Sequence, residues 1–565
     1  MRCEDVMIRG WLAFLTLSAS LMGTTPAALS QPLSPGVEPH AAPALVVVVV
    51  VDQLGADLFN QYRPRFQAGL KTLSDEGLVY ANGYHAHGLT ETCPGFSTIL
   101  SGRHPTETGI QANFGFDPET GRPFYCLEDR RNALAHGRNT DNGPVGPALL
   151  RATTLGDWLK EQSPASRVFA VSGKDRGAIN LAGHRPDGAY WHTMDFGFTT
   201  YVEPGQDAAE RLAPISAFNA RTAERLRADP PAWDFTRDQC RALVGTLTVA
   251  GQAFHSTLPP AMFELDVSPL LDEITLEAAT ELLETQQLGR RGVTDLLGVS
   301  LSGTDRIGHA YGAQGPEMCE QMHRLDVALG DFLKRLEDVP GGVLLVLTAD
   351  HGGSDIVERL AERGEPRARR ADPTIIPRLN LMLRERFGFD HDAAAYSATG
   401  VSLRGPERTA LTGATRDQAI AAAVAFLNDQ PDVAIAVARD ELIADPVPAD
   451  TREPAALSLR ERLRLSVVAD RSPEIMYGLT PFTVRGGGRI GSSAMSHGSI
   501  WDYDRRVPIL FWTPGDGGQE RPAPIRTIDI APTLANALGL ETPEVDGRCI
   551  DLGLAVAGAC GQGAP

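Results

Sequence analysis

The stretch Leu45-Val46-Val47-Val48-Val49-Val50-Val51-Asp52 runs through seven apolar residues without a polar interruption and ends in a carboxylate. A strand with one face in water alternates polar and apolar residues. An unbroken β-branched run of this length reads instead as a strand covered on both faces, as in a mostly parallel sheet. Similar apolar runs recur at Val168 to Val171, Leu296 to Leu301, Val343 to Leu347 and Val507 to Phe511. Helical segments lie between them, including Thr275 to Leu288 and the amphipathic stretch Pro316 to Leu336. This alternation predicts an α/β fold, a three-layer α/β/α sandwich. Two segments break the alternation, 185–269 and 354–496; the second has Pro/Arg-rich patches and an Ala-rich helix, Arg416 to Leu427. Both are expected as insertions over the sheet edge and cleft.

The 565 residues carry 71 acidic and 52 basic side chains, a net charge of -19 at pH 7, with 42% apolar residues. That is ample for a large core. The negative field, with no Lys/Arg cluster to offset it, excludes nucleic acid as a partner. Near the start, the apolar stretch Trp11 to Met22 and the small residues Ala28 and Ser30 read as a secretory signal peptide over 1–30, with Met7 as an alternative start that leaves a cleaner basic segment. The run is too short to span a bilayer, so no stable membrane insertion is expected after cleavage, and the mature chain 31–565 is expected as an exported monomer, periplasmic or extracellular.

Cleavage removes Cys3 and leaves six cysteines. An even count in an exported chain points to disulfides, and the absence of C-x-x-C pairs argues against thiolate zinc. Fifteen connectivities are open. The expected scheme pairs Cys549 with Cys560 across a short loop and Cys93 with Cys126, leaving Cys240 to Cys319.

The chemistry is carried by the residues just past each strand. The run at 45–51 ends in Asp52; Leu296 to Leu301 leads to Asp305, with His309 four residues on; Leu344 to Thr348 leads to Asp350-His351-Gly352. In an open parallel sheet, ligands bind at the carboxyl ends of the strands. A single Asp at a strand end is more often a helix N-cap. Three carboxylates and two histidines at successive strand ends, with Ser496-His497-Gly498 before the run at 507–511, exceed what capping requires. In Thr90-Glu91-Thr92-Cys93-Pro94-Gly95, Thr92 falls near a helix N-terminus, where backbone N–H groups favour an anion. Lys174-Asp175-Arg176 comes after the run at 168–171, at another strand end.

In this order and spacing the chain resembles the alkaline phosphatase superfamily, in its type I phosphodiesterase/nucleotide pyrophosphatase branch and, within that, the bacterial PafA-like, phosphate-irrepressible alkaline phosphatases. The resemblance runs from Asp52 through Thr92-Cys93-Pro94-Gly95, Gly109 to Asn113, Ser172 to Arg176, Gly303 to His309, Thr348 to Gly352 and Ser496 to Gly498, ending at Asp529 to Leu534. It implies two Zn²⁺ ions, one held by Asp305, His309 and His497, the other by Asp52, Asp350, His351 and the oxygen of Thr92. It implies Thr92 as nucleophile, a phosphothreonine intermediate, and Asn113, Lys174 and Arg176 on the phosphoryl oxygens of small phosphate monoesters. The alternative is a phosphodiesterase or nucleotide pyrophosphatase on the same core.

Overall fold

The computed structural model describes residues 42–117, 120–137, 143–193, 197–230, 233–256, 265–397, 399–489, 493–554 and 557–560. The expected signal, 1–30, lies outside them. The strands of the two larger sheets are β1 (Leu45–Val51), β2 (Leu78–Tyr84), β3 (Val168–Ser172), β4 (Gly188–Thr193), β5 (Gly197–Thr199), β6 (Asp295–Leu301) and β7 (Val343–Thr348). Then come β8 (Ala394–Ser397), β9 (Gly400–Leu403), β10 (Val433–Ala438), β11 (Ile475–Leu479), β12 (Arg506–Trp512), β13 (Gln519–Glu520) and β14 (Ile525–Arg526).

The central ten-stranded sheet has the order β13-β2-β12-β7-β1-β6-β3-β4-β5, with β14 also pairing β2. Strands β7, β1, β6, β3 and β4 are mutually parallel. All seven residues of β1 are fully buried. Val47, Val49 and Val51 join one apolar cluster with Leu325 and Leu329, while Val46, Val48 and Val50 join another with Phe96 and Ile99. Helices therefore cover both faces, which gives the three-layer α/β/α architecture. Each buried valine contributes about 1.5–3 kcal/mol relative to exposure, which makes β1 the centre of the fold.

Two features differ from the expectation. Strand β12, read as one more run of the parallel set, is antiparallel to both its neighbours, β7 and β2. Strand direction is set by non-local pairing and leaves no mark on an apolar run. The stretch 185–269 is not wholly an excursion either, because β4 pairs parallel with β3 in the central sheet and β5 pairs antiparallel with β4. Its Gly188-Ala189-Tyr190-Trp191-His192-Thr193 is too polar at one end to read as a doubly covered strand.

Within 354–496, β8, β9, β11 and β10 form a separate antiparallel sheet in that order, with its own apolar cluster including Ile375, Leu379 and Leu427. All three expected disulfides, Cys93–Cys126, Cys240–Cys319 and Cys549–Cys560, are formed. Among the described residues, no helix is long and apolar enough to cross a membrane.

Candidate metal centre

Five strand ends converge on one edge of the sheet. Asp52 follows β1, the dyad Asp350-His351 follows β7, and Lys174 with Arg176 follows β3. Helix α1 (Thr92–Ile99) starts at Thr92, after β2. Helix α2 (Asp175–Ala182) contains Arg176, and α3 (Gly303–Tyr311), after β6, carries Asp305 in its first turn and His309 in its last. His497 precedes β12. Because β12 runs against β7, its beginning lies at the carboxyl ends of the parallel strands, and His497 reaches the same edge.

The donors form two clusters that share His351, namely Asp52, Asp350 and His351, and Asp305, His351 and His497; His309 stands at the edge of the second, next to Asp305. Nε2 of His351 lies 3.4 Å from Asp52 Oδ1 and 3.4 Å from Asp350 Oδ2. Nε2 of His309 lies 3.3 Å from Asp305 Oδ1, and Nε2 of His497 lies 3.4 Å from the same oxygen. These are too long for hydrogen bonds of ordinary strength. They match the edge of a tetrahedron around zinc, about 3.3–3.4 Å for metal–ligand bonds of 2.0–2.1 Å. Asp52 Oδ1, Asp350 Oδ2 and His351 Nε2 are buried with no hydrogen-bond partner, a costly state for polar atoms unless something else satisfies them. His351 stacks on His497 with ring centroids 3.7 Å apart, so the two clusters adjoin.

Each imidazole is oriented from behind. Nδ1 of His309 meets Met495 O at 3.0 Å, Nδ1 of His351 meets Gly352 O at 2.9 Å, and Nδ1 of His497 meets Thr90 O at 3.1 Å. A carbonyl accepts only, so Nδ1 carries the proton and Nε2 is left as the ligand atom.

The electrostatics describe a centre short of positive charge. Burial and the adjacent Asp52 push the Asp350 carboxyl well above the usual range. Burial alone would lower His351, but Asp350 and Asp52 outweigh it and raise it to about 10. Burial would raise Asp305, and Lys174 with His309 outweigh that and hold it low. Hard and borderline dications suit such a carboxylate and imidazole set, and the donors fit zinc.

Lys174 lies within the centre itself. Its Nζ donates to Asp52 Oδ2 at 2.6 Å and also to Asp305 Oδ2, bridging one carboxylate of each cluster. Arg176 is set by its neighbours: burial would lower it, and Tyr125, Asp175 and Asp52 outweigh burial and raise it. The Tyr125 hydroxyl donates to Asp175 Oδ1 at 2.7 Å. Asn113 accepts through Oδ1 from the N–H of Cys93 at 2.8 Å, which places its amide against the first turn of α1 and leaves its NH₂ as a donor.

Two residues of the site carried little signal in the sequence. Gln53, at φ 68°, donates through its backbone N–H to Asp350 Oδ1 at 3.1 Å and through Nε2 to Asp305 Oδ1 at 3.0 Å, tying the two clusters together. Glu91 precedes Thr92 and accepts through Oε2 from the N–H of Asn113 at 2.6 Å. The only local signals were a Gln directly after a ligand-type Asp and an acid directly before a nucleophile-type Thr.

Residues 46–476 match the type I phosphodiesterase/nucleotide pyrophosphatase family. The chain is 38% identical over 531 residues to the alkaline phosphatase PhoD of Zymomonas mobilis subsp. mobilis, covering 92% of this chain and 90% of that one. It is 36% identical to the alkaline phosphatase PhoK of a Sphingomonas species, covering 90% and 91%. The crystal structure of wild type alkaline phosphatase PafA superposes with a TM-score of 0.78 at 24% identity, over 90% of this chain and 98% of that one, and shares the fold. The chain belongs to the type I phosphodiesterase/nucleotide pyrophosphatase family and, within it, to the alkaline phosphatase-type hydrolases.

Proposed function

We propose that the chain is a phosphomonoesterase that holds two Zn²⁺ ions and works through a phosphothreonine on Thr92. The observation that carries this reading is the 3.3–3.4 Å spacing of imidazole nitrogens from carboxylate oxygens in two adjoining clusters. Asp305, His309 and His497 would hold one ion; Asp52, Asp350, His351 and the Thr92 oxygen the other. Zinc, when bound, supplies Lewis acidity that neutralises phosphoryl charge and lowers the pKa of an oxygen ligand.

The protein's own part is positioning. With Gly95 of α1 packed on the backbone of Asp350 and Thr90 O on His497, Thr92 between them would be the residue whose oxygen attacks phosphorus as the ester oxygen departs on the opposite side. Asn113, Lys174 and Arg176 donate to the nonbridging oxygens, which carry more charge in a monoester than in a diester. Water then cleaves the phosphothreonine and releases phosphate. The same reading takes 1–30 as an export signal, the rest as one catalytic domain with insertions, and the mature enzyme as a monomer acting on small phosphate monoesters outside the cytoplasm.

The test is the triple variant Asn113→Ala, Lys174→Ala, Arg176→Ala, assayed with zinc content measured, on an aryl phosphate and its methyl diester. Loss of one such contact costs on the order of 2–4 kcal/mol, roughly 30- to 1000-fold in rate. Monoester kcat/KM should collapse while diester hydrolysis changes little. An equal fall in both, or full activity after verified removal of metal, refutes the assignment.

A further inference from the structure

Beside the clusters lies a cavity of about 140 Å³ whose lining includes His497, Glu91, Tyr396, Tyr477 and Arg485. His497 and Glu91 belong to the catalytic edge of the central sheet. Tyr396 lies on β8 and Tyr477 on β11, in the separate sheet of the 354–496 segment. The cavity is therefore bounded by both parts of the chain and continues directly from the metal ligands.

Arg485 is the unusual feature. Its guanidinium carbon stands 3.8 Å from the Tyr396 ring centroid and 5.1 Å from that of Tyr477. Its Nε is buried without a hydrogen-bond partner. Among the described residues, no carboxylate forms an ion pair with it. Aromatic faces attract and orient a guanidinium, but they do not neutralise it. Burial accordingly pulls Arg485 below the usual arginine range, with only Tyr396 opposing. A partly desolvated guanidinium held rigidly, with donors to spare, suits a planar or tetrahedral oxyanion.

We propose that this cavity receives the leaving-group end of the substrate and that Arg485 selects monoesters whose leaving group bears a second compact anion, a carboxylate or another phosphate. The proposal rests on the phosphomonoesterase reading for the place of the phosphoryl group. The volume is small beside pockets for drug-sized ligands, which run from about 300 Å³ upward, so the part of the leaving group that the cavity itself holds is compact. Tyr396 and Tyr477 act as positioning residues that aim the guanidinium.

The matched probes are 3-phosphoglycerate and glycerol 3-phosphate, which differ in a carboxylate against a hydroxymethyl group on the leaving portion. Arg485→Gln should lower kcat/KM for 3-phosphoglycerate by about 10- to 100-fold, the range of one lost charge-assisted hydrogen bond. It should change glycerol 3-phosphate less than about twofold, because that leaving group gives the guanidinium no anion to bind. Tyr396→Leu should give a smaller loss on the anionic ester alone. Zinc content and thermal midpoint, measured on every variant, exclude a folding effect.

Equal changes on both esters, or none on either, overturn the proposal. A second arm does not need turnover: calorimetric titration of 3-phosphoglycerate into Thr92→Ala with and without Arg485→Gln should show the same selective loss of affinity. If the zinc-loaded wild type hydrolyses neither ester, the phosphomonoesterase reading fails. The calorimetric arm then judges the subsite by itself, and unchanged affinity there refutes it.

Discussion

Gln53 touches both halves of the centre through two different groups, its backbone N–H on Asp350 and its amide on Asp305. What holds that amide in place is the absence of a side chain at Gly308, where a Cβ would come within 1.9 Å of Gln53 Oε1. The atom displaced is the end of a side chain, so Gly308→Ala should fold, while Gln53 swings off Asp305. Loss of a partner that orients a metal ligand typically costs 10–100-fold in affinity or activity. Gly308→Ala is therefore expected to bind zinc about tenfold or more weakly in chelator competition, at little cost in thermal midpoint. Unchanged affinity would show that Gln53 does not orient Asp305.

Helix α1 approaches the end of β7 more closely than any side chain would allow. A Cβ on Gly95 would lie 2.0 Å from the carbonyl oxygen of Asp350, and here the obstacle is backbone, which cannot rotate away. Glycine at this point sets the distance between the first turn of α1, with Thr92, and the strand end that carries Asp350 and His351. Gly95→Ala forces the two apart, and overpacking of this kind costs about 1–3 kcal/mol. The expected outcome is a stable, folded protein by circular dichroism, with a lowered urea midpoint and a loss of phosphatase activity larger than the loss of stability explains. Wild-type activity in a destabilised variant would separate the packing of α1 from the placement of Thr92. The Cys93–Cys126 bridge, one residue past Thr92, ties the same turn to Cys126, whose N–H donates to Asn113 O at 2.9 Å.

At the scale of the whole molecule, three histidines among the described residues, outside the proposed ligand set, are buried and resist protonation. Burial pushes His85 and His104 each down to about 3 and His87 well below its usual value. In the unfolded chain a histidine takes up its proton near pH 6.5. Between about pH 6.5 and 3 the unfolded state thus binds more protons than the folded one, and stability falls as the pH falls, by up to about 1.4 kcal/mol per pH unit for each histidine. His104 Nδ1 is buried without a partner, so His104→Leu removes this sensitivity with little loss of bonding. Urea unfolding of the wild type and His104→Leu at pH 7 and pH 5 should show the variant losing about 2 kcal/mol less over that interval. An identical loss in both proteins would exclude His104 as a site of acid sensitivity.

The apolar run at 45–51 announced a doubly covered central strand, because burial on both faces must be written into consecutive residues. Most of the donors were visible for a related reason: strand ends in a parallel sheet share one edge, so Asp52, Asp305 and Asp350-His351 declared themselves by position. The direction of β12, and hence the physical route by which His497 reaches that edge, depends on pairing with β7 and β2 far away in sequence. Membership of β4 in the central sheet has the same origin. Lys174 read as a cation at a strand end, but only packing decided that its Nζ bridges Asp52 and Asp305. Gln53, Glu91 and Arg485 draw their roles from neighbours supplied by other segments of the chain. Local sequence records which surfaces must be buried and which chemistry is present; direction, bridging and the partnering of buried charge arise only when distant segments share one dielectric interior.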